Sequence, residues 1–295
     1  MNASMDFSEK LPDGSWNYAV TGFVTKPNQW LAIGSGAVFA VLLLAHIVLA
    51  IRHRTSYMIG LIIGCLMEVL GFAARYLSIH DPFNIPKFAT QLILILLAPI
   101  FISGTQYVLL EKVMHFTYPA ASPIKHTLVG KLFVFSDVVT FAVQIYGAGL
   151  LSDAAKVEQG KPVMLWGLGI QLVSFAAFIW LAILFYIRAN REEARAGSFT
   201  RSLVNPKWRR VFVALLWSAL AVLVRSIFRL AEFAEGADGP ILKNEYYMYG
   251  FDCAMMLIAS AAFAVAHPGP ALVQEAGLLG NDGKSVANAE YVPMH

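Results

Sequence analysis

Apolar residues crowd into seven stretches of the chain, roughly 30–50, 58–78, 88–112, 129–151, 163–187, 211–233 and 246–267. Each is long enough to cross about 30 Å of hydrocarbon as a helix rising about 1.5 Å per residue. Turn-forming groups separate them: His80-Asp81-Pro82, Pro119 to Pro123, Gly160-Lys161-Pro162 and Gly236 to Pro240. The pattern predicts an all-α, polytopic membrane protein, a seven-transmembrane helix bundle over residues 30–267. Flexible tails are expected over 1–29 and 268–295, where the sequence turns polar, small and Gly-containing. The first apolar run follows a polar, mixed stretch and is expected to stay as a signal anchor.

Composition agrees. Of 295 residues, 58% are hydrophobic and 14% charged, against about 25% charged in an average soluble domain. A soluble protein this apolar lacks the polar groups to cover its own surface, a problem that lipid removes. Seven spans use about half the chain at about 20 residues each, which leaves room for loops and tails but not for a second folded domain. There is no long basic run with interleaved aromatics to bind nucleic acid. Cys65 and Cys253 lie inside apolar runs and read as small buried hydrophobes.

The distribution of Lys and Arg sets the expected orientation. One alternating set of connections holds Arg52, Arg54, Lys112, Lys125, Lys131, seven residues from Arg188 to Arg210, and Lys284, thirteen in all. The other holds six: Lys10, Lys26, Lys87, Lys156, Lys161 and Lys243. The richer side is expected in the cytoplasm, with the N-terminus outside and the C-terminus cytoplasmic. Aromatics near the span ends fit, with Trp30, Trp166, Tyr246 and Tyr247 outside and Tyr186 and Trp208 inside.

Charges inside the spans carry the chemistry. Glu68, Arg75, Asp137, Arg225, Arg229, Glu232 and Asp252 fall where an ionised side chain facing lipid costs at least about 2.5–3.5 kcal/mol. They are therefore expected to point inward. Arg225, Arg229 and Glu232 sit at i, i+4 and i+7, on one helix face. Glu68 with Arg75, and Asp137 with Gln144, repeat the seven-residue spacing. In the expected orientation Glu68 lies mid-membrane, while Arg75, Arg225, Arg229, Glu232, Asp252, Gln91 and Gln171 lie in the outer half. Asp137 lies deeper, at the level of Gln106, and is expected to pair with Gln106 or neighbouring polar groups, or with Gln106 to form a proton or cation step. A polar cluster in the outer half follows. It can be a salt-bridge network in which Glu68, Glu232 and Asp252 neutralise the arginines, or a wet pocket for a lipid head group.

Other signals carry less. Gly277 to Ser285 looks like a phosphate loop but has Leu278 where glycine is needed, and it follows a helix rather than a strand. The seven histidines include no i, i+4 pair and no HExxH, so no metal is expected. The last span has no lysine for a retinal Schiff base, and no Gly-x-Ser-x-Gly occurs. No catalytic residue and no cofactor are expected. The Asn2-Ala3-Ser4 sequon would face outward.

Over residues 60–269 the motifs resemble the fungal RTA-like family, the lipid-translocating exporters. The resemblance rests on Glu68-x-x-Gly71-Phe72-x-x-Arg75, Ala98-Pro99 with Tyr107, and Asp137 with Gln144 and Gly147-Ala148-Gly149. It continues through Gly167, Gln171, Arg225-Ser226-Ile227-Phe228-Arg229-x-x-Glu232, Gly236, Glu245, Tyr249, Phe251-Asp252 and His267-Pro268-Gly269. Phe72 stands where the family pattern has tyrosine.

The resemblance implies a multi-pass protein of the fungal plasma membrane, or of an endomembrane or vacuole. Its partners would be membrane lipids: sphingoid bases, phospholipids or sterols. It implies ATP-independent export or release of amphipathic lipids, with Gln144 and Tyr249 joining the head-group residues. The alternatives are a seven-helix lipid-stress sensor and a porphyrin- or sterol-binding resistance protein. Coupling to a G protein is not expected, because the third span ends Glu111-Lys112-Val113-Met114 and the last lacks Asn-Pro-x-x-Tyr.

Overall fold

The computed structural model describes residues 10, 16–18, 21, 23, 25–151, 156–195, 207–236 and 239–269. Seven of its helices are long and apolar enough to cross a membrane, which makes the chain a multi-pass membrane protein. They are α1 (Gln29–His53), α2 (Ile59–His80), α3 (Ile85–Phe116), α4 (His126–Leu151), α5 (Val157–Arg195), α6 (Trp208–Glu235) and α7 (Glu245–Val265). A 3-10 turn, Ser56–Met58, leads into α2, and a short helix, Pro240–Lys243, precedes α7. Among the described residues the only β pairing is an isolated bridge between Lys10 and Trp16. The tail from 270 onward, the sequon, the Gly277 to Ser285 segment and residues 196–206 of the basic loop lie outside the described residues.

Local sequence explains where the helices start. Asn28 caps α1 by accepting from the Trp30 amide at 2.9 Å, and Asn84 caps α3 by accepting from the Lys87 amide at 3.2 Å. Pro86 lies in the first turn of α3, where its missing N–H leaves no bond unmade. At its far end α1 stops at Arg54, in the left-handed region with φ 49°.

The central helix is α3. Ile102, Tyr107, Leu109, Leu110, Val113 and Met114 are all fully buried, among α2, α4 and α6. Close approach is set by small residues: a Cβ on Gly64 would stand 2.6 Å from Ile102 Cγ1, and one on Gly147 2.9 Å from the Met164 backbone nitrogen. The outward faces carry Val41, Leu44 and Ile51 on α1, Phe135 and Tyr146 on α4, and Val173 and Trp180 on α5, all exposed. This is the apolar surface that lipid would cover.

One end of the bundle is closed by aromatic rings. Trp208 packs near Tyr118, Phe185, Tyr186 and Phe212, and is 1% exposed. The interfacial role expected of Trp208 therefore gives way to a core one, since its indole is covered by neighbouring rings. At this end His53 and His267 also stack, with ring centroids 5.0 Å apart. Burial, then the neighbouring His53 and His46, push the His267 ring down to about 4. The ring is thus neutral near pH 7, and its Nδ1 accepts from the Gly269 amide at 3.1 Å.

The opposite end is covered by the segment before α1. The Tyr18 hydroxyl donates to the Ile79 carbonyl at 3.3 Å, and Phe23 meets Phe88 edge-on at 5.1 Å. Where the sequence reads as a free tail, these described residues lie against the ends of α2 and α3.

Candidate functional site

Most of the sequence-predicted polar residues gather beneath that covered end. Asp252 is the hub. Its carboxylate takes Arg225 Nε at 2.5 Å on Oδ1, and Arg229 forks onto both oxygens, Nε to Oδ1 at 3.1 Å and Nη2 to Oδ2 at 2.5 Å. The Arg225 contact is an ion pair whose N–H is not aimed as a hydrogen bond. Arg229 also donates through Nη1 to Glu232 at 2.8 Å, one helical turn along α6. The planar five-donor guanidinium is the side chain suited to serving two carboxylates at once.

Two local irregularities build this hub. Residues Met248–Cys253 form a π-helix, its last bond running from the Ala254 amide to the Tyr249 carbonyl. The extra residue per turn lets one short stretch of α7 send Tyr249 toward Arg75 and Asp252 toward α6; such bulges recur at functional sites. The second is Pro99 inside α3. Proline has no N–H to offer the carbonyl four residues back, so the Ile95 oxygen is free, and Arg225 Nη2 donates to it at 3.0 Å. Pro99 thereby provides an acceptor for a buried arginine.

Arg75 departs from its expected partners. In place of Glu68, Glu232 or Asp252 it pairs with Glu245, Nη2 to Oε1 at 2.7 Å, and its Nε donates to the Tyr249 hydroxyl at 3.2 Å. Glu245 lies at the very start of α7, closer to Arg75 than the deeper acids are. Its other oxygen accepts from the Asn28 amide at 2.7 Å, tying α7 to the start of α1. Phe23 lies 5.3 Å from the same guanidinium, a cation–π contact. Glu245 is thus a site residue that the intramembrane-charge argument missed, because it sits at a helix end where charge is cheap.

Glu68 is buried with Oε1 lacking any hydrogen-bond partner, and it forms no ion pair among the described residues. With Arg75, Arg225 and Arg229 paired to Glu245, Asp252 and Glu232, Glu68 is left without an arginine of its own among the described residues.

Of the partners expected for Asp137, the neighbouring polar groups hold it and Gln106 does not. Its Oδ2 accepts from the Ser103 and Tyr107 hydroxyls, each at 2.8 Å, and not from Gln106. Gln106 instead donates to Ser218 at 2.7 Å, and Ser218 in turn to the Ala259 carbonyl at 2.7 Å. One residue's difference along α3 turns Gln106 toward α6 while Ser103 and Tyr107, four apart, share the face toward α4.

Two cavities adjoin the ionic hub, and Arg229 lines both. The outer, about 80 Å³, lies under Phe23, Thr25 and Pro27 and is walled by Arg75, Gln91, Arg229, Glu232 and Glu245. Gln91 is 0% exposed, yet neither end of its amide has a partner. The inner cavity, about 20 Å³, lies between α3, α4, α5 and α6 and is lined by Ser103, Gln144, Gln171, Arg225 and Arg229 among others. Gln144 donates to Gln171 there at 2.6 Å. Space for water in a buried polar site requires only about 10–15 Å³. Both cavities meet that requirement, and the outer one also has room for a small polar group.

Fold and site together define a seven-helix membrane protein with an ion-paired polar chamber near one end of its bundle. The chain belongs to the RTA1-like protein family, whose model matches residues 61–275. It is 35% identical to Protein RTM1 of Saccharomyces cerevisiae over 74% of this chain and 69% of that one. It is 33% identical to Protoporphyrin uptake protein 1 of the same species, over 68% of this chain and 65% of that protein. With the Sphingoid long-chain base transporter RSB1 of S. cerevisiae it shares 29% identity over 82% of this chain and 72% of the relative. The chain thus spans about two thirds of the length of these curated relatives. No solved structure matches it. At the level of the family, the names point to membrane transport of lipids and small molecules.

Proposed function

We propose that this protein is an ATP-independent transporter that exports or releases amphipathic lipids of the sphingoid long-chain base type, and is not an enzyme. The head group enters the outer cavity, among Arg75, Gln91, Arg229, Glu232 and Glu245, with Tyr249 and Asp252 holding the two arginines from behind, while the tail stays between helices or in lipid. In this reading the N-terminus is outside, the basic loops are cytoplasmic, and the membrane is the plasma membrane.

The observation that carries the reading is the Gln91 amide. A buried amide without partners loses about 1–3 kcal/mol of hydrogen bonding, and here it stands at a cavity that also offers carboxylates and guanidinium groups. An amine with neighbouring hydroxyls fits such a wall, its ammonium on Glu245 or Glu232 and its hydroxyls on Gln91. Charge pairing of this kind is stronger in a low-dielectric interior than in water. The related transporter of sphingoid bases supports the choice of substrate class.

The test is movement of a fluorescent sphingoid base between leaflets of liposomes containing the purified protein. Movement is expected in the wild type, with a loss of tenfold or more in Gln91→Leu and Asp252→Asn. Tight binding without protein-dependent movement would replace transport with sensing.

A further inference from the structure

The hydrogen-bonding around Asp137 allows its carboxyl to exist in two protonation states. Ser103 has one hydroxyl hydrogen and two acceptors within reach: Asp137 Oδ2 at 2.8 Å and the Ile100 carbonyl at 3.1 Å. With Asp137 ionised, that hydrogen points at the carboxylate. With Asp137 protonated, it turns to Ile100, and the same oxygen accepts the new O–H. Either way every hydrogen of the pair has an acceptor.

The surroundings supply no compensating charge. Asp137 is 2% exposed, its Oδ1 has no partner, and no Lys, Arg or His lies within ion-pair distance among the described residues. Among the described residues, Tyr107 on α3 is the one titratable group hydrogen-bonded to it. Its ring is held by Phe133 of α4 and by Phe175 and Phe178 of α5, none of them ionisable. From α6, Arg225 and Arg229 line the inner cavity that Ser103 also lines. Ser103 lines that cavity, so it stands between Asp137 and the space that Arg229 shares with the outer chamber.

We propose that Asp137 is a proton-binding site, loaded from the inner cavity by way of Ser103, and that proton uptake there is linked to occupation of the outer chamber across Arg229. The step is a single proton transfer to a carboxylate, which goes from charge −1 to 0. The link rests on the transport reading above, whereas the proton site does not.

Infrared difference spectroscopy of the purified protein in lipid tests the site directly. On acidification, the wild type is expected to gain the carbonyl stretch of a protonated carboxylic acid. That band should be absent in Asp137→Asn, shifted in Ser103→Ala and unaltered in Glu68→Gln. A band that survives Asp137→Asn, or a Ser103→Ala spectrum identical to wild type, overturns the site. In liposomes, an imposed pH gradient should change the rate of sphingoid-base movement by up to about tenfold per pH unit, as one exchanged proton allows. That response should vanish in Asp137→Asn. A gradient response that persists in that variant, or a sodium gradient that replaces it, overturns the link. An Asp137 band in a protein that moves no lipid would support the proton site and overturn transport alone.

Discussion

Arg229 is the residue on which the chamber depends. It holds Asp252 and Glu232 together, and it lines both cavities. Removing one partner of a buried ion pair typically destabilises by about 3–5 kcal/mol, because the other charge is left unpaired. Arg229→Ala should therefore lower the thermal unfolding midpoint markedly, and Arg229→Lys should restore only part, since an ammonium cannot fork onto two carboxylates. Glu68→Gln should behave oppositely, with a midpoint unchanged or raised, because Glu68 brings a buried carboxyl and no ion pair. Thermal unfolding in detergent of the three variants side by side checks this; equal losses in Arg229→Ala and Glu68→Gln would contradict it. At this scale the sequence was informative about which side chains face inward, since charges cannot face lipid. It was silent on who pairs with whom. Arg75 chose Glu245 and Asp137 chose Ser103 and Tyr107, outcomes set by helix rotation and end geometry that no one-dimensional spacing contains.

Helices were legible for the same energetic reason: a bilayer imposes length and apolarity on every span. Their irregularities were not. The π-helical stretch Met248–Cys253 leaves no composition mark, yet it is what turns both Tyr249 and Asp252 inward. Pro99 was visible, but its use was not. Replacing it by alanine restores an N–H that competes with Arg225 for the Ile95 carbonyl. Pro99→Ala is therefore expected to leave thermal stability within about 1 kcal/mol while reducing sphingoid-base movement several-fold. An unchanged rate would show that the freed carbonyl has no part in holding Arg225. Described residues before α1 add a second element-scale lesson. Tyr18, Phe23 and Asn28 are polar or aromatic residues in a stretch without periodicity, and only the fold shows that they roof the outer chamber.

For the whole molecule, the asymmetry between its two ends is the main result. One end is packed with aromatic rings around Trp208; the other holds three arginines, four acids and a cavity under a short strap of chain. Such an arrangement gives a polar group a place to reside near one membrane face and leaves an apolar tail the exposed helix surfaces. A photoreactive sphingoid base, with its reactive group beside the amine, reports that place most directly when the cross-linked peptides are mapped by mass spectrometry. The account predicts labelling of residues around the outer chamber, on α2 near Arg75, α3 near Gln91 and α7 between Glu245 and Asp252, with competition by unlabelled base. Labelling confined to lipid-facing positions such as Val41, Phe135 and Val173 would contradict it.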